Sequence, residues 1–284
     1  MPEKVTLLTK TGSLGLAVLF SLLAAGVSIP RAAEAESAGI GPEFGLSLAE
    51  LQSMTSALPR EIRAGIAARP QDFLHLVAAV LDEPADFFIL VDKRHALSPE
   101  YEPEDLVNLN AYPLSVSFGD ILLRKAIMPA VLELAAAAKK SGITLLFSSG
   151  YRSFEYQKYV HAKEVKMYGQ EMADRESARP GSSQHQLGTA VDFGSITDDF
   201  AGTGAGKWLF AHAGEHGFSL SYPEGYENVT GYRFESWHYR YIAKPGVVLQ
   251  KKFFGDIQQY MLEFLRDNRA ALESRRLTAG RGRT

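Results

Sequence analysis

Four short segments of this 284-residue chain concentrate polar side chains that packing and turn formation do not require. They are Ser149-Gly150-Tyr151-Arg152-Ser153, then Ser183-Gln184-His185-Gln186-Leu187-Gly188-Thr189-Ala190-Val191-Asp192, then Tyr222-Pro223, then Glu235-Ser236-Trp237-His238-Tyr239. Together they offer two imidazoles and a carboxylate, a donor set able to hold one metal ion with a position open for water, as in catalytic zinc sites. Glu235, three residues before His238, is then placed to act as a general base without being a ligand. The chain has no cysteine, which excludes disulfides, thiolate metal sites, a Cys nucleophile and a lipid-modified N-terminal cysteine. Any metal must therefore be held by His, Asp or Glu. Each piece alone is weak, because a His-x6-Asp spacing arises often by chance and Trp-His-Tyr is commonly core packing. A rival, His212-Ala213-Gly214-Glu215-His216, has the letters of the inverted zincin signature, but Gly214 and Gly217 mark a failing helix end. His95 and His161 lack a ligand-spaced partner, and His75, among apolar neighbours, is expected to be packed.

Taken together and in order, the segments resemble the VanY-type D-alanyl-D-alanine carboxypeptidases of the zinc-dependent M15 peptidase family. That family reads Ser-Gly-Tyr-Arg-Ser, Pro-Gly-x-Ser-x-His-x-x-Gly-x-Ala-x-Asp, Gly-Phe-x-x-x-Tyr-Pro and Glu-x-Trp-His-Tyr-Arg-Tyr. Here these are Ser149–Ser153, Pro180–Asp192, Gly217–Pro223 and Glu235–Tyr241, each unbroken. Leu90–Lys93 and Pro103–Val107 also look like the family, so the likeness covers roughly residues 88–250. It implies one Zn2+ held by His185, Asp192 and His238, with Glu235 activating the attacking water. It places Arg152 in the catalytic machinery, facing a substrate carboxylate that a guanidinium fork suits. Gln157, Ser183 and Tyr222 match positions that help hold the terminal residue. The implied fold is the Hedgehog/DD-peptidase type, and the implied partners are peptidoglycan stem peptides.

The elements that must position these groups read as α+β, a small and mostly antiparallel sheet flanked by helices, since no regular strand–helix–strand repeat occurs. Residues 46–90 carry apolar side chains at helical spacing and predict two or three short helices broken at Pro59 and Pro70. An Ala-rich helix runs to Lys139-Lys140 and stops at Gly142, with Pro129 starting or kinking it. Ile143–Phe147, Phe218–Tyr222 and Trp237–Tyr241 are the expected strands. An amphipathic helix carrying Phe253, Phe254, Ile257, Tyr260, Met261, Phe264 and Leu265 is expected to pass into a solvated basic tail. The odd spacing of Glu235 and His238 predicts a turn or bulge near Phe234–Ser236, with Trp237, Tyr239 and Tyr241 in the core and His238 and Arg240 facing a cleft. Gly188 is expected to break the alternation between His185 and Asp192 in the same way. The domain division is 1–35 export signal, 36–87 helical extension, 88–250 peptidase domain and 251–284 helix and tail.

Composition sets the outer limits. With 46% hydrophobic and 22% charged residues the chain is globular, and a formal net charge of -3 argues against a nucleic-acid binder. Lys4 and Lys10 precede an apolar run from Leu14 to Ile29, and Ala33-Glu34-Ala35 follows, a pattern of a cleaved signal peptide or of an uncleaved membrane tether. Either exports the protein to the periplasm or cell envelope, as a monomer. The competing functions are an LD-carboxypeptidase or D-Ala-D-Ala dipeptidase of the same family, and a non-catalytic wall-binding relative. The last would be expected to lose the base or a ligand, and none is lost here. A serine penicillin-binding enzyme is set aside, because no Ser-x-x-Lys stands near a Lys-Thr-Gly.

Overall fold

Pro and Ser placement starts the N-terminal helices. The computed structural model describes residues 40, 41 and 43–281, so the expected export signal lies outside the described residues. Helix α1 (Leu48–Met54) begins at Ser47, whose hydroxyl and the Glu50 side chain form a reciprocal capping box. Helix α2 (Arg60–Ala68) follows Pro59, and α3 (Pro70–Leu81) has Pro70 in its first turn, where a missing N–H costs nothing. His75 is exposed on α3 and not packed as expected, because the helix turns that position away from the buried stripe Phe73, Leu74, Val77 and Ala78. Helix α4 (Met128–Lys140) starts with Pro129 in its first turn, unkinked, and ends before Gly142 at φ 76°.

A five-stranded sheet carries the chemistry. Strands β1 (Leu106–Asn108) and β3 (Leu122–Arg124) form a separate antiparallel ribbon. Strand β2 (Ser115–Val116) pairs in parallel with β4 (Leu146–Ser149), and β5 (Ala190–Phe193), β7 (His238–Tyr241) and β6 (Phe218–Leu220) continue antiparallel in the order β2-β4-β5-β7-β6. Strand β4 lies further along the chain than the apolar run Ile143–Phe147, because its pairing with β5 engages Phe147 and Ser149 and not Ile143–Leu145. Strands β6 and β7 are each shorter than expected, ending at Leu220 and starting at His238.

Around the sheet lie α5 (Phe154–Tyr168), α6 (Gln170–Glu176), α7 (Gly204–His212), α8 (Glu227–Thr230), α9 (Ala243–Phe253) and α10 (Gln258–Arg281). The single amphipathic helix expected after residue 251 is two helices, interrupted where Gly255 and Asp256 take φ 63° and 62°. One hydrophobic cluster joins the N-terminal helices, the sheet and both C-terminal helices, with Phe73 touching the rings of Phe253, Phe254 and Phe264 at 5.2, 6.0 and 5.4 Å. The basic tail expected to be solvated is largely docked. Arg275 pairs with Glu50 at 2.6 Å, Arg276 with Asp82 at 2.7 Å, and Arg269 donates to the carbonyls of Leu81 and Glu83. These partners are far away in sequence, so a local reading could not see them. Among the described residues no helix is long and apolar enough to cross a membrane.

Candidate metal centre and active-site cleft

Strand register brings the first two donors together. Asp192 on β5 stands directly opposite His238 on β7 and opposite Ser149 on β4, so the three side chains share one face. His185 arrives from a tight 3₁₀ turn, Gln184–Leu187, which Ser183 opens by accepting the His185 N–H and Gly188 closes at φ 67°. Only a residue free to adopt that left-handed angle can end the turn there, and a Cβ at Gly188 would also meet Arg124 at 3.0 Å. Gly150 is needed for approach: a Cβ there would sit 2.4 Å from the Leu122 carbonyl oxygen. Its own carbonyl accepts a hydrogen bond from His185 Nδ1 at 2.7 Å.

The donor atoms converge. His185 Nε2 lies 3.2 Å from one Asp192 oxygen and His238 Nδ1 lies 3.0 Å from the other. The three candidate ligand atoms lie within 4.8 Å of one another, and all three residues are buried. The outer nitrogens are occupied, His185 Nδ1 by Gly150 and His238 Nε2 by the Gln184 Oε1 at 3.2 Å, which leaves the inner nitrogens to face Asp192. Asp192 Oδ1, although buried, has no hydrogen-bond donor of acceptable geometry. An orphaned carboxylate oxygen beside the His238 nitrogen, with the His185 nitrogen against the other oxygen, is what a bound cation would satisfy, and the nitrogen and oxygen donor set fits zinc. Burial works against charge on Asp192, but the flanking imidazoles outweigh it and hold the carboxyl well below the usual range. Burial, aided by the Arg152 charge and opposed by Asp192, pushes the His185 imidazole down, toward the neutral form a metal requires.

Glu235 lies against this centre without joining it. Its Oε2 is 3.7 Å from His238 Nδ1, and burial, reinforced by the Asp192 charge, pushes the carboxyl up to about 7. The His238 N–H donates to the Glu235 carbonyl across a turn at Ser236-Trp237, so β7 starts at His238. This turn is the expected break in alternation, and it lets both side chains reach one point. Trp237 and Tyr239 are in the core as expected, but Arg240 does not face the cleft. It is fully enclosed and donates to the carbonyls of Phe87 and Ile89 at 2.9 and 2.8 Å, because the chain after α3 covers that end of the sheet face. Burial lowers this guanidinium to about 10.

A cleft of about 260 Å³ opens on the centre, lined by Arg152, Ser183, Tyr222 and Glu235 together with Glu164 and Trp237. Arg152 Nη1 donates to Gln157 Oε1 at 2.8 Å and Nη2 to Ser149 Oγ at 3.3 Å. Gln157 is buried behind that guanidinium and not on the cleft wall, and it also donates to the Ala178 carbonyl at 2.6 Å. Tyr222 lies against the His238 ring, centroids 4.8 Å apart, and burial raises its phenol well above the usual value. The His212–His216 segment is the end of α7 followed by a 3₁₀ turn, with His212 on Glu215 and His216 near Glu133, away from the centre. His95 and His161 bond to Asp92 and Asp174. Sequence reasoning passed over Gln184, Ser221 and Gln258, whose side chains meet behind His238; Gln184 and Ser221 lie in motifs, but at variable positions, and Gln258 lies in none.

Residues 120–244 match the family described as VanY, D-alanyl-D-alanine carboxypeptidase. The chain is 36% identical to the Bacillus subtilis protein YodJ over 171 residues, 58% of this chain and 63% of YodJ. It therefore spans less than two thirds of that relative's length. Among solved structures, the LdcB LD-carboxypeptidase is similar with 34% identity and a TM-score of 0.55, over 63% of this chain and 85% of LdcB. A variant of the vancomycin-resistance D,D-pentapeptidase VanY in complex with Zn(II) is similar with 28% identity and a TM-score of 0.52, over 63% of this chain and 99% of that one.

Proposed function

Because the chain belongs to the VanY family of D-alanyl-D-alanine carboxypeptidases, we propose that it is an exported zinc carboxypeptidase that removes the terminal D-alanine from peptidoglycan stem peptides. The observation that carries this reading is the buried group His185, Asp192 and His238 with Glu235 beside it and Arg152 on the cleft wall. His185 Nε2, an Asp192 oxygen and His238 Nδ1 would hold the ion. Bound there, zinc supplies Lewis acidity and makes water a competent nucleophile near neutral pH by lowering its pKa from about 15.7 to about 7.

The chain's own groups do the rest. Glu235 takes a proton from the attacking water and returns it to the leaving amine, a role that suits a carboxyl poised near the working pH. A guanidinium carries five N–H donors, so Arg152 keeps free donors for the substrate's terminal carboxylate after serving Gln157 and Ser149. Gln157 fixes the plane of that fork. Ser183 and Tyr222 shape the wall that receives the terminal residue, and residues 88–250 form the peptidase domain with the flanking helices as an added layer.

A second reading is supported by the likeness to LdcB: an LD-carboxypeptidase acting on shortened stems. Mass spectrometry of stem pentapeptide and tetrapeptide after incubation with zinc-loaded protein tests both. Loss of one alanine from the pentapeptide supports the first reading and loss from the tetrapeptide the second. Each should stop with a chelator and persist with penicillin. If neither peptide changes, both readings fail.

A further inference from the structure

We propose that Gln184 is a positioning residue for His238, and that Ser221 and Gln258 hold it in that orientation. The proposal rests on the metal-centre part of the reading above and not on any particular substrate. Gln184 Oε1 lies 3.2 Å from His238 Nε2 and accepts the Ser221 hydroxyl at 2.7 Å. The Gln184 amide nitrogen faces Gln258 Oε1 at 3.5 Å, and Ser221 Oγ is 3.4 Å from the same oxygen. All four side chains are at least 97% buried, so water does not compete for these contacts.

The chemistry follows from what each atom can do. A carbonyl oxygen only accepts, so the Gln184 oxygen forces the proton of neutral His238 onto Nε2 and leaves the Nδ1 lone pair facing Asp192. Were the Gln184 amide turned over, its NH2 would face Nε2 and the proton would move to Nδ1, pointing into the cation site. Ser221 cannot prevent that alone, because a hydroxyl can donate or accept. Gln258 Oε1 can accept only from the NH2 end, so as it stands it favours the useful orientation, while Gln258 Nε2 has no partner of its own. The other imidazole needs no such device. His185 Nδ1 is held by the Gly150 carbonyl, a backbone group that cannot turn over. One ligand is thus set by the main chain and the other by a side-chain relay that reaches α10, beyond the residues matched by the family.

Without the Gln184 acceptor, His238 has a competing partner ready, since its Nδ1 is 3.0 Å from Asp192 Oδ1. Gln184→Leu should therefore move the proton to Nδ1. Long-range 15N–1H NMR of histidine-labelled, metal-free protein reads this directly, with the His238 signals identified by their loss in His238→Ala. The expected result is the Nε2–H form in wild type and in Gln184→Glu, which keeps an acceptor, and the Nδ1–H form in Gln184→Leu. Zinc affinity by chelator competition should fall about 10–100-fold in Gln184→Leu and recover in Gln184→Glu. Gln258→Leu, further from the sheet, should give a mixture of both forms and a smaller loss of affinity, and it carries the test if Gln184→Leu does not fold. A wild-type His238 carrying Nδ1–H would overturn the proposal, and so would a folded Gln258→Leu with wild-type tautomer and zinc affinity. None of these readouts uses substrate, so a protein that passes them but cleaves no stem peptide would sink the functional reading and leave this one standing.

Discussion

The sheet face around His238 and the helical layer formed by α1, α2, α3, α9 and α10 are built on opposite terms. The first gathers two imidazoles, two carboxylates and a guanidinium on β5, β7 and the turns beside them, and leaves Asp192 Oδ1 and two nitrogens of Arg240 without hydrogen-bond partners. The second buries phenylalanines and leucines and keeps its charges at the rim, as in Arg94 with Glu263 and Arg276 with Asp82. Buried polar groups cost stability unless satisfied, whereas apolar burial returns about 25 cal/mol per Å². The two regions divide the labour: the helical layer supplies stability that lets the sheet face keep buried polar groups without partners.

Five measurements can break or sharpen that contrast. The largest expected effect is on Glu235. Glu235→Gln should retain zinc and lose about 10²–10⁴-fold in turnover, with little change in melting temperature. A loss below about tenfold with zinc retained would remove Glu235 as the base. In the helical layer the reverse is expected. Phe73→Ala should cost about 3–5 kcal/mol in denaturant unfolding, because three packed rings lose their partner, yet leave zinc affinity of the folded protein unchanged.

Zinc itself should stabilise the wild type by about 2.7 kcal/mol when free zinc is 100-fold above its dissociation constant, and His185→Ala, Asp192→Ala or His238→Ala should abolish that gain. Equal melting temperatures of metal-free and zinc-loaded wild type would count against a native-state site. Arg152→Lys should raise KM more than it lowers kcat and reduce kcat/KM by about 10–100-fold, the order of one charge-assisted hydrogen bond. An amidated stem peptide should already be poor for wild type and lose little more in this variant; equal cleavage of amidated and free peptide by wild type would give Arg152 another job.

The smallest effect lies at the rim. The Ser47 backbone N–H, its hydroxyl and Arg275 lower the Glu50 carboxyl from about 4.5 to about 2. A carboxyl depressed in the folded state contributes stability above its unfolded pKa and loses it as pH falls toward the folded value. Wild type should therefore lose a small increment between about pH 4.5 and 2 that Glu50→Gln lacks. Acid titrations of the two proteins that run parallel would show that the capping box and Arg275 do not couple to folding.

The chemistry was more legible than the architecture that serves it. Motif spacing carried His185, Asp192, Glu235 and His238 because each needs a specific functional group at a fixed place along the chain. The odd interval from 235 to 238 even required the turn at Ser236-Trp237, since a plain strand would point the two side chains apart. Helix starts at Pro59 and Pro70 and the stop before Gly142 were likewise local, set by missing N–H groups and permitted backbone angles.

What only the tertiary structure decided depends on contacts distant in sequence. Strand β4 took its bounds from β5, not from its own apolar run, because pairing and not propensity fixes a strand's ends. Arg240 sits on the same face as His238, as alternation demands, but the chain at Phe87–Ile89 covers it, and alternation says nothing about what lies above a face. Gln258 and Gln184 are 74 residues apart and look like any two polar residues in a list, yet folding places them behind one histidine. Sequence by itself determined which atoms could bind a cation and move a proton, because those are properties of side chains. The orientation of those atoms, and the stability that holds them, came from long-range packing, because a side chain's direction is set by its neighbours in space.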